Sequence, residues 1–380
     1  MKKIKFDDFV RLNRGFDLPD SDVIDGPYPV VASTSIKTYH NEYKVDPPVV
    51  VTGRSGSLGK VQYIDEKCWP LNTSLYSKDF RGNYPLYVYY YLQLMHLEQY
   101  NAGVGVPTLN QNHLHGLKIF VHDRREQEKV ANKLHLYDQA IENNNKRIKI
   151  LEQMAENLYK EWFVRFRFPG HEDVEFIAGK PKDWKLIKLE DIISIDRGLS
   201  YSSDEIDCEV GTDLINLKNI RAFGGFRIDG TKKYSGNYKE QQVVHRGDLV
   251  MGVTDMTQDR RTVGAVALIP VIHNTSVVSA DLIKISSKLN NVFLFCMFKY
   301  GGLSKHISQF ANGANVLHLR PQVVNRVKVF MPTDDVIELF SKIAQPLFDE
   351  MDYLNEKNDN LIKQRDLLLP RLMSGKLEIM

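Results

Sequence analysis

The chain has 380 residues, 43% of them hydrophobic, which is enough for a sizeable buried core and for two domains. Fifty basic against 48 acidic residues leave a formal charge of +2, so any surface that meets a nucleic acid has to be a local basic patch. Cys68, Cys208 and Cys296 lie far apart and fit a reduced cytosolic protein, the N-terminus carries Asp7 and Asp8 within its first ten residues and shows no signal-peptide core, and the longest apolar run, Val292 to Phe298, falls far short of the roughly 20 residues needed to span a membrane.

The first predicted elements come from IKFDDFVRLNRG (4–15), a short turn followed by a strand ending in Arg14-Gly15. The pattern recurs 183 positions later as IKLEDIISIDRG (187–198). Ile4, Lys5, Asp8, Arg14 and Gly15 face Ile187, Lys188, Asp191, Arg197 and Gly198. VVVTGRSGSLGKV (49–61), an apolar strand, a polar loop and a second strand, is answered by LVMGVTDMTQDRRTVGAV (249–266). NTSLY (72–76) matches NTSVV (274–278), and GVGVPTLNQNHLHGLKIF (103–120) matches GANVLHLRPQVVNRVKVF (313–330), now 210 positions on. A match sustained this far means an internal duplication, with about 27 extra residues in the loops of the second copy.

Each copy ends in a helical pattern. Val130, Leu134, Tyr137, Ile141, Asn144, Ile148, Leu151, Ala155, Leu158 and Trp162 step by three and four. So do Val336, Phe340, Ile343, Leu347, Met351, Leu354, Asn358, Leu361, Arg365, Leu368 and Leu372. Helices of about 28–38 residues would be roughly 42–57 Å long. Pro346 is expected in the first turn of the second long helix, after a short preceding one. Each apolar stripe needs a partner, and packing the two helices antiparallel supplies both. The expected fold is α+β: two units with twisted β-sheets, separated by two long antiparallel helices in coiled-coil packing, with an internal pseudo-two-fold repeat. Asn144 and Asn358 in the seam either fix its register or occupy partly solvated positions, and Arg365 is expected to snorkel to solvent.

Catalytic motifs fail on inspection. DPPV (46–49) lacks the aromatic that would stack on a flipped base, and reads as a turn before a strand. GRSGSLGK (53–60) has five residues between its outer glycines instead of four, and Val61 where a P-loop needs Ser or Thr. Pro19-Asp20 with Glu42-Tyr43-Lys44 mimics a nuclease pattern that the second copy does not repeat. His113 and His115 fit a strand-entry loop better than a zinc or Ser-His-Asp set.

At several points in order the sequence resembles the specificity (S) subunits of Type I restriction–modification systems. AENLYKEWFVRFRFPGHE (155–172) resembles the end of that family's central helix, and LLLPRLMSGKLEI (367–379) its C-terminal end. GDLVMGVTDMTQ (247–258), GVGVPTLNQ (103–111) and RGFDLPDSDVIDGPYPVVAS (14–33) resemble segments of its target-recognition domains. The resemblance implies target-recognition domains at 1–121 and 169–332, a central helical spacer at 122–168 and a C-terminal one at 333–380. It implies a noncatalytic, cytoplasmic and nucleoid-associated subunit whose domains each read one half of a bipartite site on double-stranded DNA. The helices would set the spacer and dock two methyltransferase (modification) subunits, and motor-nuclease (restriction) subunits would join them. No cofactor is expected on this chain, and S-adenosylmethionine is expected on the methyltransferase partners. The competing readings are a self-contained methyltransferase or nuclease and a pure coiled-coil scaffold.

The DNA-binding candidates lie in polar loops that offer Arg and Gln for base edges and Lys for phosphates. They are Arg14, Ser33, Lys37, Arg54, Ser55, Ser57 and Lys60 in the first copy. In the second they are Arg197, Lys232, Lys233, Lys239, Gln258, Arg260 and Arg261, with Tyr234 and Tyr238 interleaved. The helix-seam residues are Leu134, Tyr137, Ile141, Asn144, Ile148, Leu151, Leu158, Trp162, Leu347, Leu354, Asn358, Leu361 and Leu368.

Overall fold

A computed structural model describes residues 1–103, 105–206 and 209–379, so Val104 and Cys208 lie outside the described residues. The chain forms two compact units, one of residues 1–143 with 358–380 and the other of residues 144–357. Two long helices run through both: α3 (Arg124–Tyr159) and α7 (Asp334–Met373). The shorter helices are α1 (Pro85–Leu94), α2 (Gln111–His115), α4 (Asn291–Lys299), α5 (Leu303–Ser308) and α6 (Pro321–Arg326).

In the first unit, β1 (Lys2–Lys5) pairs antiparallel with β9 (Lys118–Val121) as a two-stranded ribbon. A four-stranded sheet runs β2 (Arg11–Arg14), β8 (Ser74–Asp79), β5 (Val49–Gly53), β6 (Val61–Ile64). A three-stranded sheet runs β4 (Ile36–His40), β3 (Tyr28–Val31), β7 (Trp69–Pro70). The core under the larger sheet gathers Phe6, Phe9, Tyr87 and Leu92 with Val130 and Leu134 of α3 and Leu369, Leu372 and Met373 of α7. The start of one long helix and the end of the other thus share one core, so they run antiparallel there.

In the second unit, a hairpin joins β10 (Phe176–Ile177) to β11 (Lys180–Pro181), and β12 (Lys185–Lys188) pairs with β23 (Lys328–Met331). One four-stranded sheet runs β13 (Ile193–Arg197), β21 (Leu282–Ser287), β17 (Leu249–Gly252), β19 (Val266–Leu268). The other runs β15 (Lys232–Tyr234), β14 (Thr212–Ile215), β20 (Ser276–Val278), β16 (Val243–Val244). β18 (Thr254–Asp255) pairs with β22 (Leu317–His318). Here Tyr159 at the end of α3, with Trp162 and Phe163 from the π-helical turn Lys160–Val164 that continues it, meets Ile337, Phe340 and Ala344 from the start of α7. Ile148 packs with Met351 and Leu354, and Arg147 reaches Glu350 at 2.6 Å.

The duplication holds at the level of strand register. Ile4 stands opposite Ile119 and Ile187 opposite Val329, which are the predicted offsets of 183 and 210. Gly53 pairs with Ser74 across β5–β8, and Gly252 with Leu282 across β17–β21. One predicted match is wrong. NTSVV leads into β20, which runs parallel to β14 as β7 runs parallel to β3, with Leu214 opposite Val277 and Val30 opposite Trp69. NTSVV therefore occupies the place of residues 66–70, and the place of NTSLY is taken by residues 280–284. The shared Asn-Thr-Ser turn misled because a three-letter echo outweighed strand pairing.

Four other expectations need correction. Pro346 does not begin a helix, because α7 is continuous over 40 residues. Pro346 supplies no N–H to the carbonyl of Lys342, but buried Phe340 and Ala344 before it and Met351 and Leu354 after it hold both flanks in one helix. Ile343 is 44% exposed and Ala344 is buried in its place, because this part of α7 turns toward the sheet core. Arg365 does not snorkel; it forms a 2.6 Å ion pair with Asp138, which also accepts from the Tyr90 hydroxyl. His113 and His115 lie on α2 instead of a loop, capped by Asn110, whose side chain accepts from the Asn112 N–H. The His115 Nε2 accepts from the Leu12 N–H at 3.1 Å, and burial pushes its pKa down.

Asn144 and Asn358 are buried, as are Leu134, Ile148, Trp162 and Leu354. Tyr137, Ile141, Leu151, Leu158, Leu347, Leu361 and Leu368 are half-buried.

Candidate nucleic-acid interface

A tight connection between two buried strands can carry polar side chains outward from a rigid base. Each unit builds such a connection at the same place. In the first, the loop after Gly53 links β5 to β6 and is braced by a bridge between Ser55 and Thr108. In the second, the longer loop after Gly252 links β17 to β19 and is braced where Thr254 pairs with His318. Ser55 and Thr254 correspond, as do Thr108 and His318.

Arg14 and Arg54 converge on one segment in the first unit. The Arg54 guanidinium donates to the Asn72 carbonyl at 3.3 Å. The Asn72 amide donates to Asp17, which pairs with Arg14 at 3.5 Å. Ser57 and Lys60 are exposed on the loop. Ser33 is buried instead, and its hydroxyl donates to the carbonyls of Ser55 and Thr73 at 3.2 and 2.8 Å. The Ser55 N–H donates to Thr73 at 3.1 Å. Both serines therefore hold the loop's backbone.

The second unit pins its loop from inside. Asp255 is 2% exposed and accepts from the Thr257 N–H and hydroxyl at 2.8 Å each, and from the Thr262 and Val263 N–H groups at 2.6 and 3.3 Å. Burial works against its ionisation, but the hydrogen bonds from Thr262 and Thr257 hold its pKa below the usual carboxylate range. Gln258 donates to the Ala314 carbonyl at 2.9 Å, and Arg260 to the Ser308 carbonyl at 3.1 Å. Arg261 projects outward, paired with Asp259 at 2.6 Å.

The remaining candidates lie on equivalent edges. Lys37 is on edge strand β4, 2.5 Å from Asp20, and Lys233 is on edge strand β15, 2.6 Å from Asp213. Half-buried Lys232 shares β15, and Lys239 is exposed beyond it. Arg197 ends β13 as Arg14 ends β2, and is exposed. Lys37, Lys233, Arg261 and Arg14 each rest on an aspartate in a partly exposed pair. Such pairs contribute at most about 1 kcal/mol, so a phosphate can displace the carboxylate cheaply.

Apolar loop tips escaped the sequence reading. Val106 is 58% exposed in the first unit, and Met256 and Phe223 are 70% and 66% exposed in the second. Phe223 has a φ of 64° and donates its N–H to the Arg261 carbonyl at 2.7 Å, which sets its ring beside the loop. The two glycines after Phe223 are a turn signal that could have located it.

The described residues hold no cluster of three metal-ligating side chains, and no described helix is long and apolar enough to cross a membrane. Cys68 and Cys296 are buried, and burial pushes both thiols up, Cys68 to about 12.

A family model described as the Type I restriction modification DNA specificity domain matches residues 1–153. The chain is 25% identical over 309 residues to the Type I restriction enzyme MjaIX specificity subunit of Methanocaldococcus jannaschii, covering 77% of this chain and 69% of that one. It is 21% identical over 335 residues to the Type I restriction enzyme HindI specificity subunit of Haemophilus influenzae, covering 71% of each. Its fold matches the crystal structure of a Type I restriction–modification S subunit from M. genitalium with a TM-score of 0.64 and 16% identity, covering 100% of this chain and 96% of that one. The matched sequence segments and the shared arrangement of β-sheet regions and packed long helices point the same way: the chain is similar to Type I restriction–modification specificity (S) subunits in its N-terminal sequence and in its fold.

Proposed function

We propose that this chain is the noncatalytic DNA-reading member of a Type I complex, and that each unit reads one half of a bipartite duplex site. The loop after Gly53, with Arg14 and Lys37, reads one half; the loop around Arg261, with Arg197 and the β15 lysines, reads the other. Arg54 and Arg261 suit base edges in the major groove, while the lysines suit phosphates. α3 and α7 set the distance between half-sites and dock two methyltransferase subunits, which carry S-adenosylmethionine. Motor-nuclease subunits complete the restriction complex, which works on DNA in the cytoplasm.

One observation carries this reading: the strand registers of the two units repeat, whereas the loops on them differ in length and chemistry. A repeated frame with unlike loops suits unlike half-sites. Inserting seven residues into both α3 and α7 lengthens the helices by about 10 Å, roughly three base pairs. Methylome sequencing of cells carrying that variant should find the same half-sites with a changed spacer. Altered half-sites would refute the spacer role. The purified chain with DNA and S-adenosylmethionine alone should show no methyl transfer.

A further inference from the structure

The second unit carries an insert between two strands that the first unit joins directly. Residues 32–35 alone connect β3 to β4, whereas residues 216–231 connect their counterparts β14 and β15. The insert is held from within by two asparagines, Asn216 and Asn219, which are 5% and 0% exposed. The Asn216 amide donates to the Gly230 carbonyl at 2.7 Å. The Asn219 amide donates to the Arg227 carbonyl at 2.9 Å and to the Thr231 hydroxyl at 2.8 Å. Ile220 bridges Phe226 in an antiparallel pair, and both pack into the cluster of Ile215, Val250 and Ala267. The tip, residues 221–225, lies along edge strand β19, where the Gly225 N–H donates to the Val266 carbonyl at 2.8 Å. Arg221 steadies it from the other side through a 3.5 Å pair with Glu152 of α3.

The two phenylalanines of this insert are treated oppositely. Phe226 packs against the core, and Phe223 stands at the tip, 66% exposed. Its φ of 64° is a left-handed conformation that a bulky side chain adopts only under constraint. The constraint is the 2.7 Å hydrogen bond from its N–H to the Arg261 carbonyl, together with the buried root of the insert. Among the described residues the Phe223 ring joins no hydrophobic cluster, so the strain gains no burial within this chain. Strain held at an exposed aromatic beside a recognition loop points to a contact outside the chain.

We propose that Phe223 reads the 5-methyl group of a thymine next to the base pair met by Arg261. This role rests on the DNA-reading function proposed above and extends it to one base. Thymine displays its methyl group in the major groove, where an apolar side chain can pack on it while a neighbouring arginine takes a guanine edge. The hydrogen bond between the two backbones makes both side chains leave from adjacent points. The first unit joins β3 to β4 without such an insert, so the dependence on a thymine methyl belongs to the half-site of the second unit alone.

The test uses the full chain assembled with its methyltransferase subunits, and duplexes carrying the site that methylome sequencing defines. Thymines of both half-sites are replaced one at a time by deoxyuridine, which removes only the methyl group. Binding followed by fluorescence anisotropy should weaken about fourfold at one thymine, the loss expected for one uncovered carbon. That sensitivity should vanish in Phe223→Asn. Asparagine tolerates the left-handed backbone, so this variant should melt at or above the wild-type temperature, which separates a lost contact from misfolding. A site without thymine on either strand, or equal sensitivity to deoxyuridine in both chains, overturns the assignment and leaves the DNA-reading role standing. Failure of the folded Phe223→Asn chain to assemble with the methyltransferase assigns the ring to a protein partner and overturns it as well. A wild-type complex that binds the site no better than an unrelated duplex defeats the DNA-reading role instead.

Discussion

Asp255, a neighbour of the candidates in its loop, and Ser33, a candidate for DNA contact, look alike in sequence as polar loop residues, and both turn inward. Their partners, Thr262 for one and Thr73 for the other, come from residues that only the fold brings near. Residue type was therefore legible while role was not: nothing local distinguishes a serine that faces solvent from one that bonds two distant carbonyls. Replacing Ser33 with Ala should cost about 1 kcal/mol of stability and leave the recognised DNA sequence unchanged, as urea unfolding and methylome sequencing would show. Replacing Asp255 with Ala should cost about 3 kcal/mol at pH 7, because several donors to a charged acceptor lose it together. The folded-state pKa of Asp255 lies below its ordinary 3.8. Its contribution is thus fully present above about pH 4 and is lost as the pH falls through the folded value. Urea midpoints of wild type and variant should converge on acidification below that point.

At the scale of elements, the three-and-four stepping located both long helices, since burial on one face leaves that imprint whatever the partner. What it missed is where the partner changes. In its first turns α7 meets the sheet core and the end of α3 together through Ile337, Phe340 and Ala344, and farther on it faces α3 through Met351 and Leu354, so a single seam drawn through Ile343 slips by one position. Pro346 is the second miss, because propensity predicts a break that tertiary packing overrides. Pro346→Ala restores one backbone donor and should stabilise the chain by up to about 3 kcal/mol, read as a higher urea midpoint. Half-buried Leu361 offers the reverse test. Leu361→Asp removes roughly 1.5–3 kcal/mol of apolar burial and places a charge against the partner helix, so the variant should unfold earlier and assemble poorly. Wild-type stability would refute its place in the seam.

At the scale of the whole molecule, the duplication was legible from end to end because strand frames preserve spacing while loops absorb insertions. The false pairing of the two Asn-Thr-Ser turns marks the limit: identity over three residues carries less weight than which strand hydrogen-bonds to which. The division of both long helices between the two units has a thermal consequence. Neither unit can melt by itself without ending α3 and α7 in mid-run, and each new end strands about four carbonyl or four amide groups that the intact rod satisfies. Heat should therefore be taken up in one endotherm, and a calorimeter that resolved two well-separated peaks would mean that the rods fray at their midpoints more readily than their continuity suggests.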